Sequence, residues 1–197
     1  IVTYPVTGGN IYFNKSTGTI TDCDQSVTEA VIPEEIEGVP VTGIGGYAFS
    51  GCSSLSSIEI PEGVTEIGDS AFVGCNNLNR IIIPESVEEI GNEEFVGCRS
   101  LKTAGPIGSG CNYEFGWKEI IPDNAFYGCG IDSIRIPESI TKIGKYAFYG
   151  CSSLSSITIP QGITEIEDST FYECYNLSNV TIPESVTAIK SYAFYGC

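Results

Sequence analysis

CSSLSSIEIPEGVTEIGDSAFVG, residues 52–74, is the unit from which most of this 197-residue chain is built. Its Leu-x-x-Ile-x-Ile segment alternates apolar and polar residues, which predicts a short β-strand with one face turned inward. The strand is expected to end at Pro61, because proline has no amide hydrogen to donate. A second apolar step, from Val64 to Ile67, precedes Gly68, and glycine permits the next turn.

The end of the unit, Ser70-Ala71-Phe72, predicts a single helical turn that places the phenylalanine in the core. One such unit cannot bury its own apolar face, whereas stacked units bury the faces of their neighbours. Equivalent strands then lie side by side, about 4.8 Å apart, in a parallel sheet. The unit therefore predicts a repeat architecture.

The repeat is marked most clearly by a Phe-x-x-Cys step that occurs seven times. Successive phenylalanines are separated by 23, 23, 31, 22, 23 and 23 residues, so only the fourth coil departs strongly from the period. The apolar strand residues and the Val-x-x-Ile step keep the same register. The phenylalanines are Phe49, Phe72, Phe95, Phe126, Phe148, Phe171 and Phe194, and the cysteines are Cys52, Cys75, Cys98, Cys129, Cys151, Cys174 and Cys197.

With these marks, the chain resembles the BspA-type, or Treponema pallidum-type, leucine-rich repeat over roughly residues 28–197. The resemblance implies a right-handed solenoid of the α/β leucine-rich-repeat type, made mainly of short parallel β-strands with short helical turns. It also implies a secreted or cell-surface protein of a bacterium or protozoan, with a role in adhesion to host proteins or to other microbes. The repeat motif is specific for the fold and weak for function.

The chain is expected to form a single domain in which residues 1–27 cap a seven-coil solenoid at 28–197. Apolar segments at 11–14 and 19–21 flank a polar turn that ends in Gly18, which predicts a β-hairpin. Such a hairpin would protect the apolar edge of the first coil. No matching cap is recognisable after the last coil.

Composition argues against several classes of function. The formal net charge of -16 disfavours nucleic acid and anionic membrane as partners. The sequence has no histidine, the usual acid–base group and metal ligand near neutral pH, and no apolar run long enough to span a bilayer. We therefore expect no enzymatic activity, no metal or cofactor, and no membrane insertion by this chain.

Seven of the nine cysteines occupy one repeat position, so stacking predicts a row of buried thiols that act as small apolar side chains. Their side chains run parallel and do not converge, which disfavours both mutual disulfides and a zinc site. Cys23 and Cys111 lie outside the row. If any cysteine pairs or reacts, we expect it to be one of these two.

The insert of the fourth coil, at about 104–117, contains the first group of candidate binding residues. Tyr113, Phe115 and Trp117 alternate within a glycine-rich stretch. Exposed aromatic residues on a loop favour binding to proteins or sugars. The alternative is that the stretch is extended and tucks against the coil.

Two further groups of candidates follow from the stacking. The polar residues between the apolar strand marks, Asn79, Arg80, Asp132 and Arg135 among them, would line the concave face and serve either binding or solubility. A tyrosine follows the core phenylalanine in the last four coils, which predicts a row that either stiffens the array or forms an adhesive stripe. These tyrosines are Tyr127, Tyr149, Tyr172 and Tyr195.

The leading hypothesis is a non-enzymatic protein–protein interaction module that contacts an extracellular or surface protein. Carbohydrate binding through exposed aromatic residues is the first alternative. A structural spacer that holds another domain away from the cell is the second.

Overall fold

The computed structural model describes residues 1–116 and 119–197, and in these residues every regular element is a β-strand. The strands are β1 Val2–Val6, β2 Gly9–Asn14, β3 Thr19–Cys23, β4 Glu29–Val31, β5 Glu35–Ile36, β6 Val39–Pro40, β7 Gly43–Ile44, β8 Ser57–Glu59, β9 Glu66–Ile67, β10 Arg80–Ile83, β11 Glu89–Ile90, β12 Thr103–Pro106, β13 Tyr113–Phe115, β14 Ile120–Ile121, β15 Ser133–Ile134, β16 Lys142–Ile143, β17 Ser156–Thr158, β18 Glu165–Ile166, β19 Asn179–Thr181 and β20 Ala188–Ile189.

The N-terminal segment forms an antiparallel meander, in which β2 pairs with both β1 and β3. The turn between β2 and β3 closes when the amide of Gly18 donates to the carbonyl of Asn14, with Gly18 at a positive φ of 69°. Ile11, Phe13 and Ile20 are fully buried. β3 then pairs in parallel with β7, which attaches the meander to the first coil.

The repeat places its strands in two rows, and each coil is numbered here by its phenylalanine, from Phe49 to Phe194. The first row consists of β4, β8, β10, β12, β13, β15, β17 and β19, and the second row of β7, β9, β11, β14, β16, β18 and β20. Where neighbouring strands pair, they pair in parallel with equivalent residues in register, as Ile58 does with Ile81 and Ile44 with Ile67. Strand pairing is interrupted between β11 and β14, between β15 and β17, and between β16 and β18. The stacked parallel strands that the repeat predicts are therefore present.

The core runs along the stack between the two rows. Equivalent phenylalanines lie over one another, with ring centroids 5.5 Å apart for Phe49 and Phe72 and 5.4 Å apart for Phe148 and Phe171. Leu55 and Ile58 are buried beside them. Each coil thus completes the apolar environment of the next, as a repeat unit requires.

The predicted helical turns are wrong for the described residues, which contain no helix. Ser70 and Gly74 both have left-handed backbone conformations, with φ of 58° and 72°, so a right-handed helix cannot run through either position. The amide of Val73 donates to the carbonyl of Ser70, but the amide of Phe72 donates to Glu94 of the following coil. The segment is a tight turn whose hydrogen bonds run partly between coils.

The insert in the fourth coil changes the order of the first row. β13 lies between β10 and β12, and β12 pairs on its other side with β15. After β12, the chain therefore returns toward the third coil and inserts β13 between β10 and β12. The core widens at this level, since the rings of Phe95 and Phe126 are 6.4 Å apart.

Candidate functional site

The insert aromatics are part of the core. Tyr113 is fully buried, with its ring 4.6 Å from that of Phe95 and 5.6 Å from that of Phe126. Phe115 is buried beside it, and Trp117 lies outside the described residues. The structure thus has the alternative arrangement, in which the stretch tucks against the coil, and Tyr113 and Phe115 offer no surface to a partner.

Glu114 points to the opposite side of β13 and holds the loop of the insert in place. Its carboxylate accepts hydrogen bonds from the amides of Gly108, at 2.9 Å, and Gly110, at 2.6 Å. Both glycines have positive φ. The loop rests directly on β12, because a Cβ atom at Gly105 would lie 2.9 Å from the hydroxyl of Ser109. This contact, which sequence reasoning missed, covers the face of the first row at the fourth coil.

The candidates on the first row are exposed but are not brought together. Asn79 and Arg80 lie at the start of β10, whereas Asp132 and Arg135 flank β15. Two strands of the insert separate the pairs. The expected concave binding face is therefore divided into two parts by the loop over β12.

The tyrosines that follow the core phenylalanines form a continuous stack. Ring centroids are 4.5 Å apart for Tyr127 and Tyr149, 4.7 Å for Tyr149 and Tyr172, and 4.8 Å for Tyr172 and Tyr195, with planes within 16° of parallel. Because neighbours cover each other's faces, the inner rings present mainly edges and hydroxyl groups to solvent. Three more tyrosines, Tyr146, Tyr175 and Tyr192, lie beside this stack. We refer to the stack and these three residues together as the tyrosine surface.

The three additional tyrosines were not among the sequence candidates. Tyr146 is tilted by 50° to Tyr149, and Tyr192 makes edge contacts with Tyr172 and Tyr195. Tyr175 and Tyr192 are 62% and 66% exposed. Their ring faces are not covered by the stack. The signal that could have found two of them is the tyrosine two residues before the core phenylalanine of coils five and seven.

A carboxylate lies within this surface. Burial raises the pKa of Tyr149 and Tyr172, and the negative charge of Glu173 raises them further. The pKa of Tyr175 is raised by burial and by a hydrogen bond with Glu173. The hydroxyls of Tyr149, Tyr172 and Tyr175 are therefore protonated at neutral pH.

The buried cysteines do more than fill space. The thiol of Cys75 donates to the carbonyl of Phe49 at 3.0 Å, and that of Cys98 donates to Phe72 at 3.2 Å, so each thiol joins its coil to the preceding one. Burial raises the pKa of Cys75 to about 12, which leaves it a thiol at neutral pH.

The first member of the cysteine row differs from the prediction, because Cys52 forms a disulfide with Cys23. The sequence predicts that any cysteine that pairs or reacts is Cys23 or Cys111, which agrees with the pairing of Cys23, but it predicts a free buried thiol at Cys52. Cys111 is free and half-buried. The bond joins the N-terminal meander to the first coil.

A cleft of about 700 Å³ opens in the second row between the third and fourth coils. Pro122 occupies the position where Gly91 and Gly144 donate an amide hydrogen to the preceding coil. Proline cannot make this bond. The cleft is lined by acidic and apolar residues, among them Glu89, Ile90 and Ile120. No group of three or more cysteine or carboxylate side chains in residues 1–116 and 119–197 is arranged to hold a metal ion.

The stacked coils and their repeated core residues agree with a known family model. The model for the BspA type leucine rich repeat region matches six copies, at residues 19–107 and 119–197. The chain belongs to this family. The resemblance noted from residues 52–74 is thereby confirmed. A comparison with curated proteins finds no match.

Solved structures of leucine-rich repeat proteins are similar to this chain. One from Eubacterium ventriosum is 30% identical with a TM-score of 0.75, covering 94% of this chain and 48% of its own length. One from Bacteroides ovatus is 29% identical with a TM-score of 0.68, and the match covers 88% of this chain and 47% of the Bacteroides ovatus chain. A leucine rich cell surface protein from Faecalibacterium prausnitzii is 30% identical with a TM-score of 0.54, and the match covers 100% of this chain and 46% of the Faecalibacterium prausnitzii chain. The chain thus spans about half the length of these relatives.

In the described part of the chain there is no helix that could cross a membrane.

Proposed function

We propose that this BspA-type repeat chain is a non-enzymatic interaction module of a secreted or cell-surface protein, and that it binds an extracellular protein through the tyrosine surface. The observation that supports this site is the continuous stack of four tyrosines with exposed neighbours. Tyrosine supplies a large, rigid contact area and a polar hydroxyl at low entropic cost, which favours its use at interfaces.

The proposed location outside the cell has two supports. Structural disulfides such as Cys23–Cys52 persist mainly in oxidising compartments. The similar protein from Faecalibacterium prausnitzii is described as a cell surface protein. Adhesion to host proteins or to other microbes is the role that fits both.

The test compares capture of proteins from extracellular matrix and serum by the native chain and by a variant with Tyr149→Val and Tyr172→Val. Valine is a conservative choice, because Val73 and Val96 occupy the equivalent positions of earlier coils. We expect the variant to fold and to lose at least ten-fold of its affinity for a captured protein.

The matched control is Arg80→Ser on the first row, where Ser57 stands in the neighbouring strand. A partner lost with Arg80→Ser and retained by the tyrosine variant would move the site to the divided concave face near Asn79 and Arg80. Asp132→Ser and Arg135→Ser test in the same way the part of that face on the other side of the insert. Absence of any specific capture would favour the spacer.

Carbohydrate binding is the second candidate, and a specific observation favours it. Sugars stack on ring faces, and Tyr146 and Tyr192 keep faces that the stack does not cover. Ser70 and Ser169 occupy their position in other coils, so Tyr146→Ser with Tyr192→Ser should preserve the fold. A glycan array signal that disappears in this variant would support the candidate, and an array without signal would count against it.

A further inference from the structure

Glu173 occupies a backbone position that the other six coils give to glycine. Its φ is 56°, in the left-handed region that glycine adopts without steric cost. A glutamate that is held in this conformation lowers the stability of the coil. Strain of this kind points to a function when the surroundings also suggest one. The equivalent glycines are Gly51, Gly74, Gly97, Gly128, Gly150 and Gly196.

The surroundings of Glu173 are aromatic. Its amide donates to the carbonyl of Tyr195 at 2.7 Å, and its charge helps to raise the pKa of the neighbouring Tyr175 hydroxyl. Tyr149 and Tyr172 are close enough for its charge to act on both of their hydroxyls. The carboxylate is therefore part of the tyrosine surface.

Within the described residues, no cation forms an ion pair with Glu173. The ion pairs within residues 1–116 and 119–197 use Lys15, Lys145 and Lys190, and Glu173 takes part in none of them. The nearest bases in sequence are already paired, Lys145 with Asp168 and Lys190 with Glu165 and Glu167. The surface thus combines aromatic rings with an uncompensated carboxylate on a chain of net charge -16.

We propose that Glu173 and the tyrosines around it form a site for an arginine side chain of a partner polypeptide. The guanidinium group hydrogen-bonds to the carboxylate, and its flat face and methylene stem pack on the exposed ring of Tyr175 and the edges of the stack. This inference rests on the proposed interaction function and names the chemistry that its partner presents.

The test titrates the whole chain with acetyl-Gly-Arg-Gly-amide and follows tyrosine ring signals by NMR. The same peptide with citrulline has the same shape without the charge and serves as the ligand control. We expect saturable shifts of the Tyr172 and Tyr175 rings with arginine, and at least ten-fold weaker binding with citrulline.

Three variants separate charge, strain and nonspecific attraction. Glu173→Gly should weaken arginine binding at least ten-fold while raising Tm by about 2–4 °C, because the strain is released. Glu173→Gln should weaken binding equally without that rise. Glu62→Gln, an exposed carboxylate in the second coil, should leave the affinity within two-fold of native.

Equal affinity of Glu173→Gly and Glu62→Gln, or of arginine and citrulline, would overturn the arginine site. The interaction function is tested separately by protein capture. Capture that depends on Tyr149 and Tyr172 but is unchanged by Glu173→Gly would leave that function standing and remove this inference.

Discussion

At the scale of single residues, a side chain that differs from those at the equivalent position of the other coils is easily recognised, and Glu94 is such a residue. Glu94 occupies the position before the core phenylalanine, where Ala48, Ala71 and Ala125 are buried in other coils. It is 1% exposed, and its two carboxyl oxygens have no hydrogen-bond partner. Burial, assisted by the charge of Asp69, raises its pKa to about 9. The side chain is thus a neutral acid in the folded protein.

Glu94 makes stability fall as pH rises. Its pKa in the folded state is above its value of 4.5 in an unfolded chain, so its protonated form favours folding fully below about pH 4.5. This contribution is lost as pH rises toward 9, at about 1.4 kcal/mol per pH unit. Urea unfolding at pH 5 and pH 8 measures the free energy of unfolding of the native chain and of Glu94→Gln. We expect the native chain to lose more stability between these two pH values than the glutamine variant does. Parallel stability profiles would contradict a buried neutral Glu94.

At the scale of elements, the insert shows how a loop is positioned by one carboxylate. Glu114 accepts hydrogen bonds from the amides of Gly108 and Gly110, and the loop that it holds packs on Gly105 through Ser109 and Cys111. The turns of the ordinary coils need no such anchor, because they hydrogen-bond to the next coil. Glu114 thus ties the middle of the insert loop to β13, in addition to the hydrogen bonds that Ser109 makes with Pro106 and Asn112 makes with Thr103.

Replacing Glu114 by alanine should release this loop. We expect a loss of about 1–3 kcal/mol in stability and a several-fold faster reaction of the half-buried Cys111 with a thiol reagent at pH 7. Cys98, whose pKa is raised well above its usual value by burial, should stay unreactive and serves as the internal reference. An unchanged rate at Cys111 would show that other contacts hold the loop.

At the scale of the whole molecule, stability in a repeat protein is shared mainly between neighbouring coils. The Cys23–Cys52 disulfide closes a separation of 29 residues at one end of the stack. A loop of this length corresponds to about 3–4 kcal/mol of stabilisation in the chain-entropy account. Its effect should be local, since the meander and first coil contact only the adjacent part of the array.

Cys23→Ser should therefore destabilise one end of the protein. Hydrogen exchange is expected to speed up at β2, β3 and β7, while β18 and β20 remain as protected as in the native chain. Reduction of the native protein by dithiothreitol should have the same effect, and it should have none on the variant. Uniform loss of protection along the chain would instead indicate a single cooperative unit.

The leucine-rich-repeat fold follows from the sequence alone, because its signals are local and recur. Leu55, Ile58 and Pro61 define a strand and its end within a few residues, and repetition of the pattern allows only stacking to bury the apolar faces. Family membership follows from the same marks. The stacked tyrosines were predicted for a similar reason, since equivalent positions in successive coils must be neighbours.

Only the tertiary structure decided the strand order at the insert, the conformation of the turns and the contacts of Cys23 and Glu173, because the repeat pattern does not encode them. The repeat pattern does not specify on which side of β12 the strand β13 pairs, whereas in the structure β13 lies between β10 and β12 and the ring of Tyr113 packs beside Phe95. The helical turns were wrong because hydrogen bonds between coils favour the left-handed conformation at Ser70. Cys23 meets Cys52, and Glu173 comes close to Tyr149 and Tyr195, only through contacts between segments that lie far apart in sequence or in different coils. Periodicity predicts equivalence between coils, whereas these features arise where a coil departs from its neighbours.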